Sequence, residues 1–343
     1  MTGQTPVQAS DRLGRPLRSL RISVTDRCNL RCRYCLPAEV FGPDFAFLPR
    51  SEVLSYEEIV RAARAFARLG VKAFKITGGE PLLRRDLPVL ISQLRSIGKG
   101  IDLSLTTNGL RLAACLSELK AAGLGRINIS LDALDAKPAS LMAGRDLDPE
   151  QVWKAVLATR EAGLGVKVNT VIKRGINESQ ILPLAKCCRE SGVPLRFIEY
   201  MDVGTRNDWH REAVFSGREV LDRLREQWGL EPVPDPVPGE TARRFRYRDG
   251  SGEVGFINSI SEPFCRSCGR ARIAADGTLY TCLFAETGIN LKPWLRHDQL
   301  NTPGLTDRLL RHWQGRHDRY SEERGQSSPR AASGRPEMWA IGG

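Results

Sequence analysis

Long apolar runs are missing from this 343-residue sequence. Stretches such as Val71–Ile76 and Ile127–Leu131 fall far short of the roughly 20 residues that a membrane-crossing helix needs, so no helical span is expected. The opening segment, Met1–Arg12, is polar and has no apolar core of the signal-peptide type, which makes the reducing cytoplasm the expected location. Histidine is scarce, with four in the chain, and no credible acid–base triad stands out. Nine cysteines are present, but an odd number in a reducing compartment does not suit a disulfide framework, and metal ligation becomes their leading use.

Basic residues outnumber acidic ones by 51 to 40, a net charge of +11 with a pI near 9.4. That balance suits an anionic partner such as nucleic acid or a polyphosphate, or a generally basic solvated surface. Short apolar or β-branched runs recur at Leu20–Val24, Ala73–Thr77, Asp102–Thr106, Arg126–Ser130, Val166–Val171 and Pro194–Ile198, each reading as a buried strand. Helical patterns lie between them at Tyr56–Leu69, Leu87–Ile97, Ala113–Ala122, Glu150–Ala162 and Ser179–Ser191, with Gly70, Gly98, Gly123, Gly163 and Gly192 as stop signals. Six such β–α units predict parallel strands in an α/β fold, an incomplete (β/α)6 barrel with its chemistry at the C-terminal strand ends. The Pro-rich stretch Glu231–Pro238 reads as a boundary. The expected units are therefore a barrel over 1–230, a cysteine-bearing C-terminal extension over 231–324, and a mobile tail over 325–343 ending in Gly-Gly.

Directly after the first strand comes Cys28-x3-Cys32-x2-Cys35. Three thiolates can hold three irons of a cubane and leave the fourth iron open, whereas a structural zinc ion wants four ligands and no fourth lies near. A second incomplete set, Cys265-x2-Cys268-x13-Cys282, follows the boundary. A second open cluster is the natural reading, with a zinc ribbon borrowing a distant ligand as the alternative. Cys115, Cys187 and Cys188 fall on expected helices as packing thiols.

The first loop resembles the signature of the radical S-adenosylmethionine (SAM) superfamily, with Tyr34 before the last cysteine and Thr77-Gly78-Gly79-Glu80-Pro81 after the second strand. The resemblance implies a [4Fe-4S] cluster whose open iron is chelated by SAM, with Tyr34, Gly79, Ser130 and Met201 contacting SAM. A narrower resemblance rests on four features: the Cys-x2-Cys-x-Arg-x-Arg-x9-Cys ending, Asp11–Arg18, Arg196–Gly204 and the terminal Gly342-Gly343. Together they are similar to the GTP 3′,8-cyclase family of molybdenum-cofactor biosynthesis. That family implies two [4Fe-4S] clusters, the second at the guanine end of GTP. It also implies a 5′-deoxyadenosyl radical that takes hydrogen from C3′ of GTP, so that C3′ closes onto C8.

The same resemblance carries the phosphate and ribose contacts to Arg21, Lys75, Thr106, Lys167, Arg196, Arg270, Ala271 and Arg272, and a catalytic role to Gly342 and Gly343 in a tail that enters the barrel. The implied partners are GTP, an electron donor such as flavodoxin or ferredoxin, the next pathway enzyme as recipient of the product, and a second copy in a homodimer. Neither a membrane nor nucleic acid is expected. Independently of family, Arg270 and Arg272 alternate on one side of an extended segment beside Cys268, and planar guanidinium forks suit phosphate. The rival readings are a radical SAM peptide maturase with auxiliary clusters and a zinc-stapled basic nucleic-acid-binding protein.

Overall fold

The structure, a computed structural model, describes residues 8–42, 44–234, 240–297, 301–324 and 335–342. Six parallel strands carry the core: β1 (Ser19–Ser23), β2 (Ala73–Thr77), β3 (Asp102–Thr107), β4 (Arg126–Ser130), β5 (Gly165–Ile172) and β6 (Leu195–Glu199). Between them run α1 (Tyr56–Arg68), α2 (Leu87–Arg95), α3 (Leu116–Ala121), α4 (Ala136–Ala143), α5 (Pro149–Glu161) and α6 (Ile181–Glu190), and α7 (Gly217–Arg225) follows β6. The helix expected over Ala113–Ala122 is broken into a 3-10 turn, Leu112–Ala114, and the short α3. α1 starts where it does because Ser55 and Glu58 cap each other: the Ser55 side chain accepts from the Glu58 N–H, and the Glu58 carboxylate accepts from the Ser55 N–H at 2.6 Å.

The Pro-rich stretch expected to end the barrel carries a strand, β7 (Leu230–Val233), which pairs antiparallel with β8 (Arg243–Tyr247). β8 pairs with β9 (Glu253–Ile257), and β9 extends the sheet in parallel beside β6. At the other edge β10 (Arg270–Ile273) lies parallel to β1, followed by the antiparallel β11 (Thr278–Tyr280) and β12 (Ile289–Asn290). One twelve-stranded sheet results, in the order β12-β11-β10-β1-β2-β3-β4-β5-β6-β9-β8-β7. Its two edges do not pair among the described residues, so the (β/α)6 barrel stays open and the extension adds strands to both flanks. Among the described residues three α-helices follow: α8 (Thr302–Gln314), α9 (Tyr320–Glu323) and α10 (Met338–Ile341).

The strands are two-faced. Leu20, Ile22, Phe74, Ile76, Leu103, Leu105, Ile127 and Ile129 point to the helix layer and are fully buried, each contributing about 1.5–3 kcal/mol on burial. The intervening residues face the lumen and are polar: Arg21, Lys75, Thr106, Arg126, Asn128, Ser130, Asn169 and Arg196. A parallel strand covered on both faces ordinarily reads as continuous apolar sequence, so a polar inner row marks a lumen built to hold something.

The N-terminal Asp11–Arg18 segment ties the extension to the barrel. The Asp11 carboxylate accepts from Arg15 Nε at 2.6 Å and from Arg316 Nη1 at 3.2 Å, all three side chains being almost wholly buried. Arg15 Nη1 also donates to the carbonyls of Cys265 and Asp318, both at 2.9 Å, and Arg316 Nη1 to the carbonyl of Cys268 at 2.6 Å. Removing the shared carboxylate leaves the buried Arg15 guanidinium without its counter-charge and Arg316 with Asp318 alone, at 3.3 Å. Asp11→Ala is therefore expected to cost about 3–5 kcal/mol, read as a lowered urea midpoint; an unchanged midpoint would show that the cluster does not hold this end of the fold.

Candidate active site

Every cysteine of both triads lines a single cavity at the C-terminal end of the strands. The first triad sits on the loop after β1, which is shaped by backbone contact with the turn after β2. The N–H of Gly79 donates to the carbonyl of Thr25 and that of Glu80 to the carbonyl of Arg27, both at 2.8 Å. A Cβ on Gly79 would overlap the Arg27 carbonyl. The double glycine thus lets two backbones touch, and its closest partner is the cysteine loop itself. Glu80 is buried and spans to β3, accepting from Thr107 Oγ1 at 2.7 Å and the Asn108 N–H at 2.8 Å, while Asn108 Nδ2 donates to Asn29 beside Cys28 at 2.8 Å. Burial raises the Glu80 carboxyl above the ordinary range.

Tyr34 reaches across the cavity and donates to Asp132 Oδ2 at 2.9 Å, and the Val171 N–H donates to the other oxygen at 2.8 Å. Burial nonetheless lifts the Asp132 carboxyl to about 6. Ser130 and Met201, expected to meet SAM, line the same wall with Gly79 and Tyr34.

The donor set of each triad suits an iron–sulfur cube. Burial pushes the Cys28 thiol up to about 11 and those of Cys32 and Cys35 further, with neighbouring thiols adding to the shift at Cys32 and Cys35. Such closely grouped thiols release their protons readily only to a metal. Among the described residues no three His, Cys, Asp or Glu side chains converge as the ligands of one ion would, whereas a cube gives each thiolate its own iron. In the second triad burial raises the Cys268 thiol, but Arg270 and Arg316 outweigh it and bring the group down to about 6. Arg270 Nη2 donates to Cys268 Sγ at 3.5 Å.

Between the triads the wall is cationic. Arg272, Arg21 and Lys75 are register neighbours across β10, β1 and β2, with Arg270 two residues from Arg272 and Arg196 on β6. Burial, then the mutual repulsion of the neighbouring arginines, lowers Arg21 to about 10, Lys75 to about 7 and Arg272 well below its usual value. Burial and the nearby Arg196 and Arg126 bring Lys167 to about 8. Thr106 is also in the wall, hydrogen-bonded by Asn128 Nδ2 at 3.4 Å.

Two expected contacts stand apart. Lys167 shares the inner face but is not in the cavity wall, and Ala271 points to the outer core, where only its backbone can serve the site. Strand alternation also exposes residues that motif reading missed: Arg126, Asn128 and Asn169 line the cavity, and the side-chain oxygens of both asparagines are buried without a partner among the described residues. The signal was the polar beat Arg126-x-Asn128-x-Ser130 and Lys167-x-Asn169 within apolar strands.

Of the tail expected to be mobile or captured, 325–334 and Gly343 lie outside the described residues, while 335–342 fold onto the barrel. Trp339 packs edge-on to Phe41, Phe45 and Phe47, with ring centroids 5.5, 5.8 and 6.1 Å away. The Gly342 carbonyl accepts from Arg21 Nη1 at 3.0 Å and Arg272 Nη1 at 2.8 Å. Gly342 has φ +73°, and a Cβ there would overlap Thr77.

Residues 22–188 match the family model of the radical SAM superfamily, and residues 193–322 that of Molybdenum Cofactor Synthesis C. A GTP 3′,8-cyclase of Acidothermus cellulolyticus is 48% identical over 93% of this chain and 89% of its own length. One of Staphylococcus aureus is 45% identical over 92% and 93% respectively. Among solved structures, SuiB of Streptococcus suis bound to S-adenosylmethionine shares the fold, with a TM-score of 0.59 at 17% identity over 82% of this chain and 67% of that one. The two family models together with full-length identity near one half place the chain in the GTP 3′,8-cyclase family of radical SAM enzymes.

Proposed function

We propose that this chain carries out GTP 3′,8-cyclisation with two [4Fe-4S] clusters, one on Cys28, Cys32 and Cys35 and the other on Cys265, Cys268 and Cys282, facing each other across the lumen. The family supplies the activity, the SAM requirement, an iron–sulfur cluster and the substrate GTP. The observation that carries the finer reading is the row of buried cations between two incomplete thiol triads in one cavity. When bound, the first cluster and SAM supply one-electron hydrogen-abstraction chemistry, and the residues of this chain do the rest.

Tyr34, Gly79, Ser130 and Met201 hold SAM against the first loop. Arg21, Lys75, Arg196, Arg270 and Arg272 take the triphosphate, where each charge-assisted hydrogen bond contributes about 1.5–3 kcal/mol. Thr106 holds the ribose, and the unpartnered oxygens of Asn128 and Asn169 accept from nucleoside hydroxyls beside it. Lys167 acts from just beyond the wall through its charge, and Ala271 through its backbone. Gly342, with Gly343 after it, supports the reacting ribose from within the lumen. The cyclic product passes to the next enzyme of molybdenum-cofactor biosynthesis, and the electron comes from a flavodoxin or ferredoxin. In this reading the chain works as a cytoplasmic homodimer in three parts, a barrel over 1–230, a cluster-binding extension over 231–324 and the tail.

The division between the triads has a direct check. Anaerobically reconstituted enzyme should hold about eight irons per chain, and loss of either triad should leave about four. Ala in place of Cys28, Cys32 or Cys35 should abolish SAM cleavage, whereas Ala at Cys265, Cys268 or Cys282 should spare some uncoupled cleavage and end cyclisation. Parallel loss of both activities in both sets would contradict the assignment.

Lys75 gives a pH test. Free, it loses its proton through about pH 7; a neighbouring triphosphate raises that value, so binding favours the protonated form. GTP affinity should fall as pH rises from about 7 to 9, with uptake of up to about one proton per GTP, seen by calorimetry in buffers of different ionisation enthalpy. Guanosine should show neither effect and the Lys75→Gln variant only the smaller part left to Lys167, and GTP binding with the same proton uptake in wild type and variant would move the phosphates away from Lys75. Gly342→Ala should keep cluster content and GTP affinity but lower product formation about 100-fold, the scale set by a 1 Å misplacement; normal turnover would remove the tail from the chemistry.

A further inference from the structure

A second, outward-facing groove lies on the far side of the first cysteine loop. Its walls hold four basic side chains, Arg31, Arg33, Lys137 and Arg145, against two carboxylates, Glu39 and Asp146. Arg31 and Arg33 flank Cys32 in sequence, and Lys137 and Arg145 come from α4 and the turn after it. That helix is fastened to the loop, since the Arg31 N–H donates to the Ala143 carbonyl at 2.9 Å and the Arg33 N–H to that of Met142 at 3.2 Å. Arg33, Lys137 and Arg145 are exposed and have no ion-pair partner among the described residues. In the same groove Leu141 is 39% exposed, one of three large apolar side chains so placed among the described residues.

We propose that this groove docks a small acidic one-electron carrier protein, which delivers the electron that the first cluster needs. The inference rests on the radical SAM reading above. Tunnelling rates fall steeply with distance, so a carrier has to sit against the loop that holds the cluster, and the groove is the other face of that loop. The step moves one electron: the carrier is oxidised by one and the thiolate-held cluster reduced by one. Unpaired positive charge around an exposed leucine fits the small, electrostatically steered encounters of redox partners, in which rim charges set the association rate and an apolar centre sets the register.

The test uses reconstituted holoenzyme with an acidic flavodoxin and an acidic ferredoxin as probes, beside dithionite as a small reductant. Reduction by at least one carrier should slow with added salt. The double variant Lys137→Glu, Arg145→Glu should lower its second-order rate at low salt by about 10-fold or more, while Lys120→Glu, on the distant α3, leaves it unchanged. Dithionite-driven formation of the cyclic nucleotide should be equal in wild type and variant, which separates failure of the docking site from failure of the cyclase reading. Carbodiimide should cross-link Lys137 to a carrier carboxylate. Carrier-driven rates insensitive to the double reversal, with cross-links on another face, would overturn the proposal.

Discussion

Several cations share the inside of this barrel, and the surrounding structure is arranged around tolerating that. Arg21, Lys75 and Arg272 occupy adjacent register positions, Arg270 projects beside them, and Arg196 faces them from β6. Burying one guanidinium away from water is costly, and burying several together adds repulsion, which is why the lysine among them is held near neutrality in its titration. The fold carries that repulsion because the opposite face of the strands is a largely apolar buried layer, and an anion in the lumen would offset it. A triphosphate has the charge and the multiple oxygens to do so. The Gly342 carbonyl uses two of the same arginines, Arg21 and Arg272.

The two triads are held by different physics. The first depends on backbone contact: two glycines bring the turn after β2 against the cysteine loop, and Glu80 and Asn108 stitch both to β3. The second depends on charge, because Arg15 and Arg316 share the buried Asp11 and each also donates to a carbonyl of the second triad, Arg15 to Cys265 and Arg316 to Cys268. The N-terminal motif therefore acts on the second cysteine loop. Likewise Asp202, within the central Arg196–Gly204 motif, receives Arg324 at 2.8 Å and Tyr320 at 2.9 Å and anchors the chain where it turns towards the tail.

The tail joins the two halves. Trp339 stands among three phenylalanines of the segment that follows the first triad, and three residues later Gly342 meets β1, which leads into that triad, and β10, which follows Cys265 and Cys268. A change at either cysteine loop can thus be felt at the tail.

Much was legible in the sequence because it is local. Cysteine spacing, the double glycine, capping residues and β–α alternation act over a few residues and set element type, ligand sets and the parallel sheet. The polar beat within the strands was equally present, but it takes meaning only once the sheet curls and one face becomes a lumen. What tertiary structure alone decided was which distant groups meet: that Ala271 turns outward while Arg272 turns in, that Lys167 stops short of the wall, that Asn128, Asn169 and Asp132 join it, and that β9 and β10 flank opposite edges of the six parallel strands. Those outcomes rest on strand register and on buried charges hundreds of residues apart, such as Asp11 with Arg316, and a linear pattern carries neither because each depends on where the rest of the chain has already packed.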